Sequence, residues 1–330
     1  MCNIHIIWNP ERQTGMKAAI VFEAGAKPVY GDVPEPAVGP GEQLVHVGAA
    51  AVSHLVKSRA SGTHYSSSGQ FPLVVGVDGV GRLDNGTRVY FVAPGGSMAE
   101  RAAVPSAYCM PLPDRLDDVT AAAIANPGMS SWAAYAERAK LKAGETVLVN
   151  GAGGSSGRLA VQIARHFGAR KVIATARNAK ALEEVAALGA DVTVPLVEDQ
   201  AALEASLKKE FAQGVDVVID YLWGRSAERL LVAAAKAGPE AVPIRFVQIG
   251  SMSGSDITLP SAVLRSSAIT LMGSGIGSIP MARLVACVGA LLDAAVPAGF
   301  QIAAKPVPLA DVERAWAEDD SSRRTVFTLG

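Results

Sequence analysis

The stretch "VLVNGAGGSSGRLAVQIARHFGARKVIATARN", Val147 to Asn178, carries the reading of this 330-residue chain. It runs from an apolar strand through a glycine turn into a helix and out to a second strand. Gly151, Ala152, Gly153 and Gly154 form the turn, and Ser155, Ser156 and Gly157 lead into the helix. Read as A-x-G-x-x-G, the fingerprint places fall on Ala152, Gly154 and Gly157, while Gly151, Gly154 and Gly157 also fit G-x-x-G-x-x-G. The first place makes the turn, the second lets the backbone approach a pyrophosphate, and the third lets helix and strand pack closely. The phosphates would meet the free N–H groups and the positive dipole end of the helix. Glycines alone mark any tight turn. The complete strand, turn, helix and strand around them point to a dinucleotide.

The end of the second strand bears on which dinucleotide. About twenty residues after the loop an NAD site carries an acidic residue for the ribose 2′-hydroxyl. This chain has "TARNAK" there, from Thr175 to Lys180. Arg177 and Lys180 place positive charge where a 2′-phosphate would sit, and charge-assisted pairing favours NADPH. The alternative is that Arg177 is a solvated residue ahead of a helix.

Outward from this unit, apolar strands alternate with Ala-rich helical stretches. The expected strands are 146–150, 171–176, 191–195, 215–221, 244–250 and 269–273. Six strands in this rhythm predict a doubly wound parallel, Rossmann-type α/β sheet. Leu159, Ile163 and Phe167 recur at spacing four and would face the sheet, with Arg158, Gln162 and Arg165 toward solvent. A further helix is expected from Met281 to Ala295, broken by Pro297 and Gly299. Residues 16–125 instead read as short alternating segments cut by Gly and Pro, the texture of a β-rich domain. The tail, "FQIAAKPVPLADVERAWAEDDSSRRTVFTLG", returns to strand, helix and strand and is expected to rejoin that domain. The division expected is 1–125 with 279–330 for the β-rich domain and 126–278 for the nucleotide-binding domain.

Composition narrows the partners. Lys plus Arg number 30 and Asp plus Glu 31, with neither sign gathered into a run, so nucleic acid and membrane surfaces are not expected partners and a small molecule is. Cys2, Cys109 and Cys287 are too widely spaced for a disulfide framework or a C-x-x-C zinc clip. The start, "MCNIHIIWNPERQTG", lacks the basic leader and long apolar region of a signal peptide, and a cytoplasmic location is expected. The residues before Met16 read as an added arm or an upstream start.

With these stretches in place, the chain resembles the medium-chain dehydrogenase/reductase superfamily, in its zinc-independent quinone oxidoreductase branch. The motifs that carry the resemblance are "MKAAIVFEAG", "SRASGTHY…FPLVVGVDGVGRL", "NPGMSSWAAY", "KAGETVLVNGAGGSSGRLAVQIAR", "ALGAD" and "DVERAW…RRTVFTLG". The resemblance implies a GroES-like β-rich domain beside the Rossmann domain, NADPH as cofactor, and a homodimer joined at the apolar edge strand "ITLMG". It further implies cofactor contacts at Ser130, at the start of a domain-crossing helix, at Ser155 and Ser156 in the loop, and at Gly250 and Ser251 after the fifth strand. Zinc members carry a catalytic Cys and a G-H-E motif. Here "GVDGVG" puts Val77 where the ligand His would stand, so no metal is expected; His54, His64 and Asp78 lack any recognised ligand spacing. The family's N-x-x-D positions are held by Ser53 and Val56, and a nearby aromatic by Ser58.

Hydride delivery leaves negative charge on the substrate oxygen, so a site without metal needs hydrogen-bond donors or an exclusion of water. The loop "SGTHYSSSGQFPLVVGVDG" offers Tyr65, with His64 as its competitor. A phenol of unperturbed pKa about 10 donates at neutral pH without tuning. The structural alternative is that Tyr65 anchors the loop. Trp132, Tyr221 and Trp223 are expected near the pocket, with core packing the alternative for Trp132; Arg323 and Arg324 read as a solvated turn. Asp78 is expected to hold the loop between the domains rather than act in catalysis. The activity expected is NADPH-dependent reduction of quinones or α,β-unsaturated carbonyls. The alternatives are a reductase of isolated ketones or aldehydes, and an NADPH-binding sensor with little turnover.

Overall fold

The structure is a computed structural model and describes residues 15–67, 69–197, 199–318 and 323–330. Cys2 and the stretch before Gly15, including the expected arm, lie outside the described residues. The chain forms two compact units: one runs to Pro111 and resumes over most of the tail from Lys305, and the other spans Leu112–Ala304.

The first unit opens with β1 (Gly15–Val21), β2 (Val29–Pro34), β3 (Glu42–Ala51) and a short helix, α1 (His54–Ala60). It continues through β4 (Leu73–Val74), β5 (Asp78–Leu83), β6 (Arg88–Val92), β7 (Arg101–Pro105) and β8 (Cys109–Pro111). Pairing is antiparallel, as short strands burying one face favour: β7 alternates buried Ala102 and Val104 with half-buried neighbours. Ser53 caps α1 by accepting from the Val56 N–H at 3.1 Å, and Val56 is buried in the core. Both residues that replace the family's polar pair therefore serve this helix.

The second unit begins with α2 (Asp118–Ala133) and a π-helical turn to Ala139. Then β9 (Thr146–Asn150), α3 (Ser155–His166), β10 (Lys171–Ala176), α4 (Ala179–Ala187), β11 (Val192–Pro195) and α5 (Gln200–Ala212) alternate. The second half is β12 (Val217–Asp220), α6 (Gly224–Ala237), β13 (Ile244–Gln248), α7 (Ser261–Arg265), β14 (Ile269–Gly273) and α8 (Met281–Ala295). The six strands form one parallel sheet in the order β11-β10-β9-β12-β13-β14 among the described residues. This is the doubly wound order, whose direction reverses between β9 and β12 and leaves a crevice beyond their carboxyl ends. Every residue of β9 is buried, the signature of a strand covered on both faces.

Helices α2 and α8 touch closely, since a Cβ on Gly128 would lie 2.6 Å from Leu291 Cδ2. On α3, Leu159 and Ile163 are fully buried. Gln162, expected toward solvent, is buried instead: its amide donates to the carbonyls of Arg158 and Gln301, and its side-chain oxygen accepts from the Gln301 N–H at 2.7 Å. A buried amide is stable there because its groups are paired.

The tail forms β15 (Ala304–Pro308), α9 (Val312–Glu318) and β16 (Arg324–Thr328). β16 pairs antiparallel with β3 through Val326, Phe327 and Thr328, so the tail does rejoin the β-rich unit. Asp78, expected in a loop between domains, opens β5 and accepts from the Tyr90 hydroxyl on the neighbouring β6 at 2.8 Å. Its buried carboxyl group thus braces two strands of one sheet.

Candidate functional site

The turn after β9 is shaped by its glycines, each in a different way. Gly151 has φ +86°, a left-handed conformation that favours glycine, and a Cβ there would lie 2.8 Å from Leu222 Cγ. At Gly157 a Cβ would collide with the Gly151 carbonyl and lie 2.5 Å from Ala152 Cα, so this glycine lets α3 sit against the strand end. Gly154 differs: its φ is −86°, and a Cβ there would meet nothing within 4 Å. It is the N-cap of α3, which has no side-chain capping bond. The turn is therefore a cradle with its open side at Gly154, facing the helix start, and it fits a pyrophosphate. Ala152 is buried, while Gly153, Ser155 and Ser156 are half-buried.

Thr175 ends fully buried at the foot of this turn. Its Oγ1 accepts from the Gly151 N–H at 3.0 Å and donates to Asn150 Oδ1 at 2.7 Å, so it holds the turn from beneath. Arg177 and Lys180 are exposed at the start of α4, which Asn178 caps by accepting from the Ala181 N–H. Neither cation makes a hydrogen bond or ion pair among the described residues, so both charges, with the positive end of α4, are available to an anion.

Asp220 and the turn after it form the other lip of the crevice. Trp223 has φ 55° and ψ −152°, a conformation costing a non-glycine residue about 1–3 kcal/mol. The Leu222 and Trp223 N–H groups donate to the Asp220 carboxylate at 3.0 and 3.1 Å. Burial raises the Asp220 carboxyl above the usual carboxylate range, against the bonds from Leu222, Asn150 and Trp223 that pull it down. Gly250 follows β13 closely: a Cβ there would lie 2.7 Å from the Tyr221 carbonyl. Ser251 beside it is exposed.

Ser130, expected at a helix start, lies in the last turn of α2, because the helix begins from the Asp117 cap and runs through Pro127. Its hydroxyl donates to the Pro127 carbonyl at 2.7 Å and shares a hydrogen bond with the Tyr221 hydroxyl at 3.2 Å. Burial pushes the Tyr221 phenol up to about 12. Trp132 takes its packing alternative, with its ring 4.9 Å from Phe167. Trp223 lines a cavity of about 330 Å³ with Gln248, Leu271 and Met272.

Tyr65 and His64 lie in the β-rich unit after α1. Tyr65 is 73% exposed, and its ring stands 4.1 Å from that of His64. His64 Nδ1 accepts from the Ser66 N–H at 3.1 Å, which leaves the proton of the neutral ring on Nε2 as a donor. Burial, and then the charge of Arg59, hold His64 below its ordinary value of 6.5. Among the described residues no three His, Cys, Asp or Glu side chains are grouped to hold a metal, His54, His64 and Asp78 included. Val77, at the place of the ligand His, is buried.

Sequence reading missed Asn150, Asp220 and Leu222. The signal for the first two was present: each is a polar residue ending an otherwise apolar strand.

A family model described as zinc-binding dehydrogenase matches residues 157–290, all within the second unit. The chain is similar to the probable NADPH-dependent quinone reductase tdiC of Emericella nidulans, 29% identical, over 92% of this chain and 96% of that protein. Among solved structures it is similar to a probable oxidoreductase from Mycobacterium abscessus, with 28% identity and TM-score 0.78, over 96% of this chain and 99% of that one. It is likewise similar to the quinone oxidoreductase of Thermus thermophilus, also solved in complex with NADPH, with 26% identity and TM-score 0.79, over 95% and 100% of the two chains.

A doubly wound sheet with a glycine cradle at its switch point, in a chain that also folds a separate antiparallel β unit, defines the class of dinucleotide-binding dehydrogenases. Within that class these similarities support the medium-chain dehydrogenase/reductase superfamily, in its quinone oxidoreductase-like branch.

Proposed function

We propose that this protein is an NADPH-dependent oxidoreductase that reduces quinones or α,β-unsaturated carbonyls without zinc. The observation that carries the reading is the cradle open at Gly154 with the Arg177 and Lys180 charges beyond the next strand. The names of the relatives in Emericella and Thermus support the cofactor and the substrate class. The buried valine at position 77 supports the metal-free part.

In this reading Gly151, Ala152, Gly153, Gly154 and Gly157 shape the pyrophosphate cradle, Ser155 and Ser156 contact the phosphates, and Thr175 holds the turn. Arg177 and Lys180 bind the 2′-phosphate, while Ser130, Gly250 and Ser251 serve the nicotinamide side. When bound, NADPH supplies a hydride from its nicotinamide C4 to the electrophilic carbon. Tyr65 then gives a proton to the substrate oxygen, with His64 Nε2 as the competing donor. A homodimer joined along β14, an edge strand of the sheet, and a cytoplasmic location complete the proposal. Light scattering that returns the mass of a single chain excludes the dimer.

The test is to follow NADPH absorbance with a panel of quinones, enones, ketones and aldehydes. Consumption with quinones or enones is expected. Consumption with isolated ketones alone moves the enzyme to the other reductase class, and binding without consumption makes it a sensor. Tyr65→Phe should lower turnover at least about tenfold and leave NADPH affinity unchanged, because the phenyl keeps the packing and loses only the donor. Near wild-type turnover dismisses Tyr65. A His64 proton-donor role needs the imidazolium, which the lowered pKa confines to the acid side of pH 6.5, so kcat/KM would rise as pH falls through that range and the rise would disappear in His64→Gln.

A further inference from the structure

Asn150 and Asp220 are 70 residues apart in the chain and directly opposed in the sheet, as the last residues of β9 and β12. Both side chains are fully buried. Asn150 Nδ2 donates to Asp220 Oδ1 at 2.8 Å, and Asn150 Oδ1 accepts from the Thr175 hydroxyl. Thr175 accepts from the Gly151 N–H, while Asp220 accepts from the N–H groups of Leu222 and Trp223. A continuous hydrogen-bonded chain thus joins the backbone of the glycine turn to the backbone of the turn after β12. Packing joins them a second time, since the Leu222 side chain occupies the space a Cβ on Gly151 would need. Ser226 closes the network from α6, its hydroxyl 3.0 Å from Asn150 Nδ2.

We propose that Asp220, oriented by Asn150, is a positioning residue that sets the Tyr221–Trp223 turn against the Gly151 turn, fixing the nicotinamide-side lip of the crevice relative to the pyrophosphate cradle. The inference rests on the dinucleotide reading above. Asp220 is the only link in that chain that takes two backbone N–H groups of the second lip, and a carboxylate is the side chain whose two oxygens accept without donating. The Trp223 N–H is forked between the two oxygens, at 3.2 Å to Oδ1 and 3.1 Å to Oδ2, so replacing Oδ2 with an amide group turns a donor toward it, removes one arm of the fork and loosens that turn. The adenosine half of the ligand is held elsewhere, by Gly154, Arg177 and Lys180, and should not sense the change.

The experiment compares two ligands, NADPH and 2′,5′-ADP, which lacks the nicotinamide half. Their dissociation constants are measured by calorimetry on wild type, Asp220→Asn, Asn150→Ala, Asn150→Asp and the exchanged pair Asn150→Asp with Asp220→Asn. Asp220→Asn is expected to weaken NADPH about tenfold and to change 2′,5′-ADP less than twofold. Asn150→Ala, which leaves Asp220 its backbone donors, should show the same pattern at about threefold and serves if Asp220→Asn does not fold. Asn150→Asp sets two carboxylates against each other and should weaken NADPH more than Asp220→Asn does. The exchanged pair relieves that repulsion but keeps an amide at position 220, where the Leu222 and Trp223 N–H groups need acceptors, so it should bind NADPH better than Asn150→Asp and no better than Asp220→Asn. Equal weakening of both ligands, no weakening of NADPH, or wild-type NADPH affinity in the exchanged pair overturns the proposal. A wild-type protein that binds neither ligand overturns the dinucleotide reading itself, so the two failures are told apart by the wild-type titration.

Discussion

Gly154→Asp is expected to leave the protein folded with unchanged or slightly higher thermal stability while reducing NADPH affinity at least about a hundredfold. The two halves of this expectation come from one geometry. Gly154 has φ −86° and ψ 168°, the extended conformation of an N-cap residue, and its Cβ direction is open. Aspartate is among the best N-cap residues, accepting from the N–H groups of the first helical turn, and α3 has no side-chain cap at present. The gain over glycine is a few tenths of a kcal/mol. The same carboxylate would occupy the N–H groups the pyrophosphate needs and set a like charge against it. A hundredfold loss corresponds to about 2.7 kcal/mol, well within the repulsion of two charges about 4 Å apart in a partly screened site. Gly157→Val makes the contrast, since its Cβ would strike the Gly151 carbonyl and the Ala152 backbone, neither of which can yield. It should lower stability in the apo-protein. Calorimetric titration with thermal unfolding checks both variants, and a Gly154→Asp protein that binds NADPH as wild type does would remove the cradle from the mechanism.

Arg177→Asp is expected to raise KM for NADPH at least about tenfold and to lower KM for NADH, reversing the cofactor preference without affecting folding. Arg177 is exposed and unpaired among the described residues, so its removal costs the apo-protein nothing that the structure shows. A hydrogen bond to a charged group contributes about 1.5–3 kcal/mol, which is at least tenfold in affinity before repulsion by the new carboxylate is added. That carboxylate also supplies the acceptor that an NAD ribose 2′-hydroxyl uses. Lys180 remains in the variant and limits the loss, so Lys180→Ala added to Arg177→Asp should widen it. Steady-state kinetics with both cofactors decides the matter: an unchanged NADPH to NADH ratio makes Arg177 a solvated surface residue.

Much of the nucleotide-binding unit was legible before any coordinates. The strands Thr146–Asn150, Lys171–Ala176 and Ile269–Gly273 and the helix Met281–Ala295 coincide with the runs read from the sequence. The reason is physical: parallel strands covered by helices on both faces carry unbroken apolar runs, and Gly or Pro ends them. Gln162 was misread because periodicity assigns it to the outer face of α3, whereas the chain near Gln301 passes over that face and offers both a donor and an acceptor. Ser130 was placed at a helix start by the resemblance alone, whereas α2 begins at the Asp117 cap and carries Ser130 in its last turn.

By itself the sequence determined the turn after β9 and the charge beyond β10, because glycine spacing and the missing acidic residue act within one stretch of about thirty residues. It also determined that the sheet is doubly wound, through the count and texture of its strands. Only the tertiary structure decided that Leu222 packs against Gly151 and that Asn150 and Asp220 are partners. Those facts depend on β12 crossing over to lie beside β9, which puts residues 70 apart in the chain at hydrogen-bond distance. No local pattern encodes that adjacency, since it arises when separate apolar strands bury their faces in one sheet and their polar ends must then find each other.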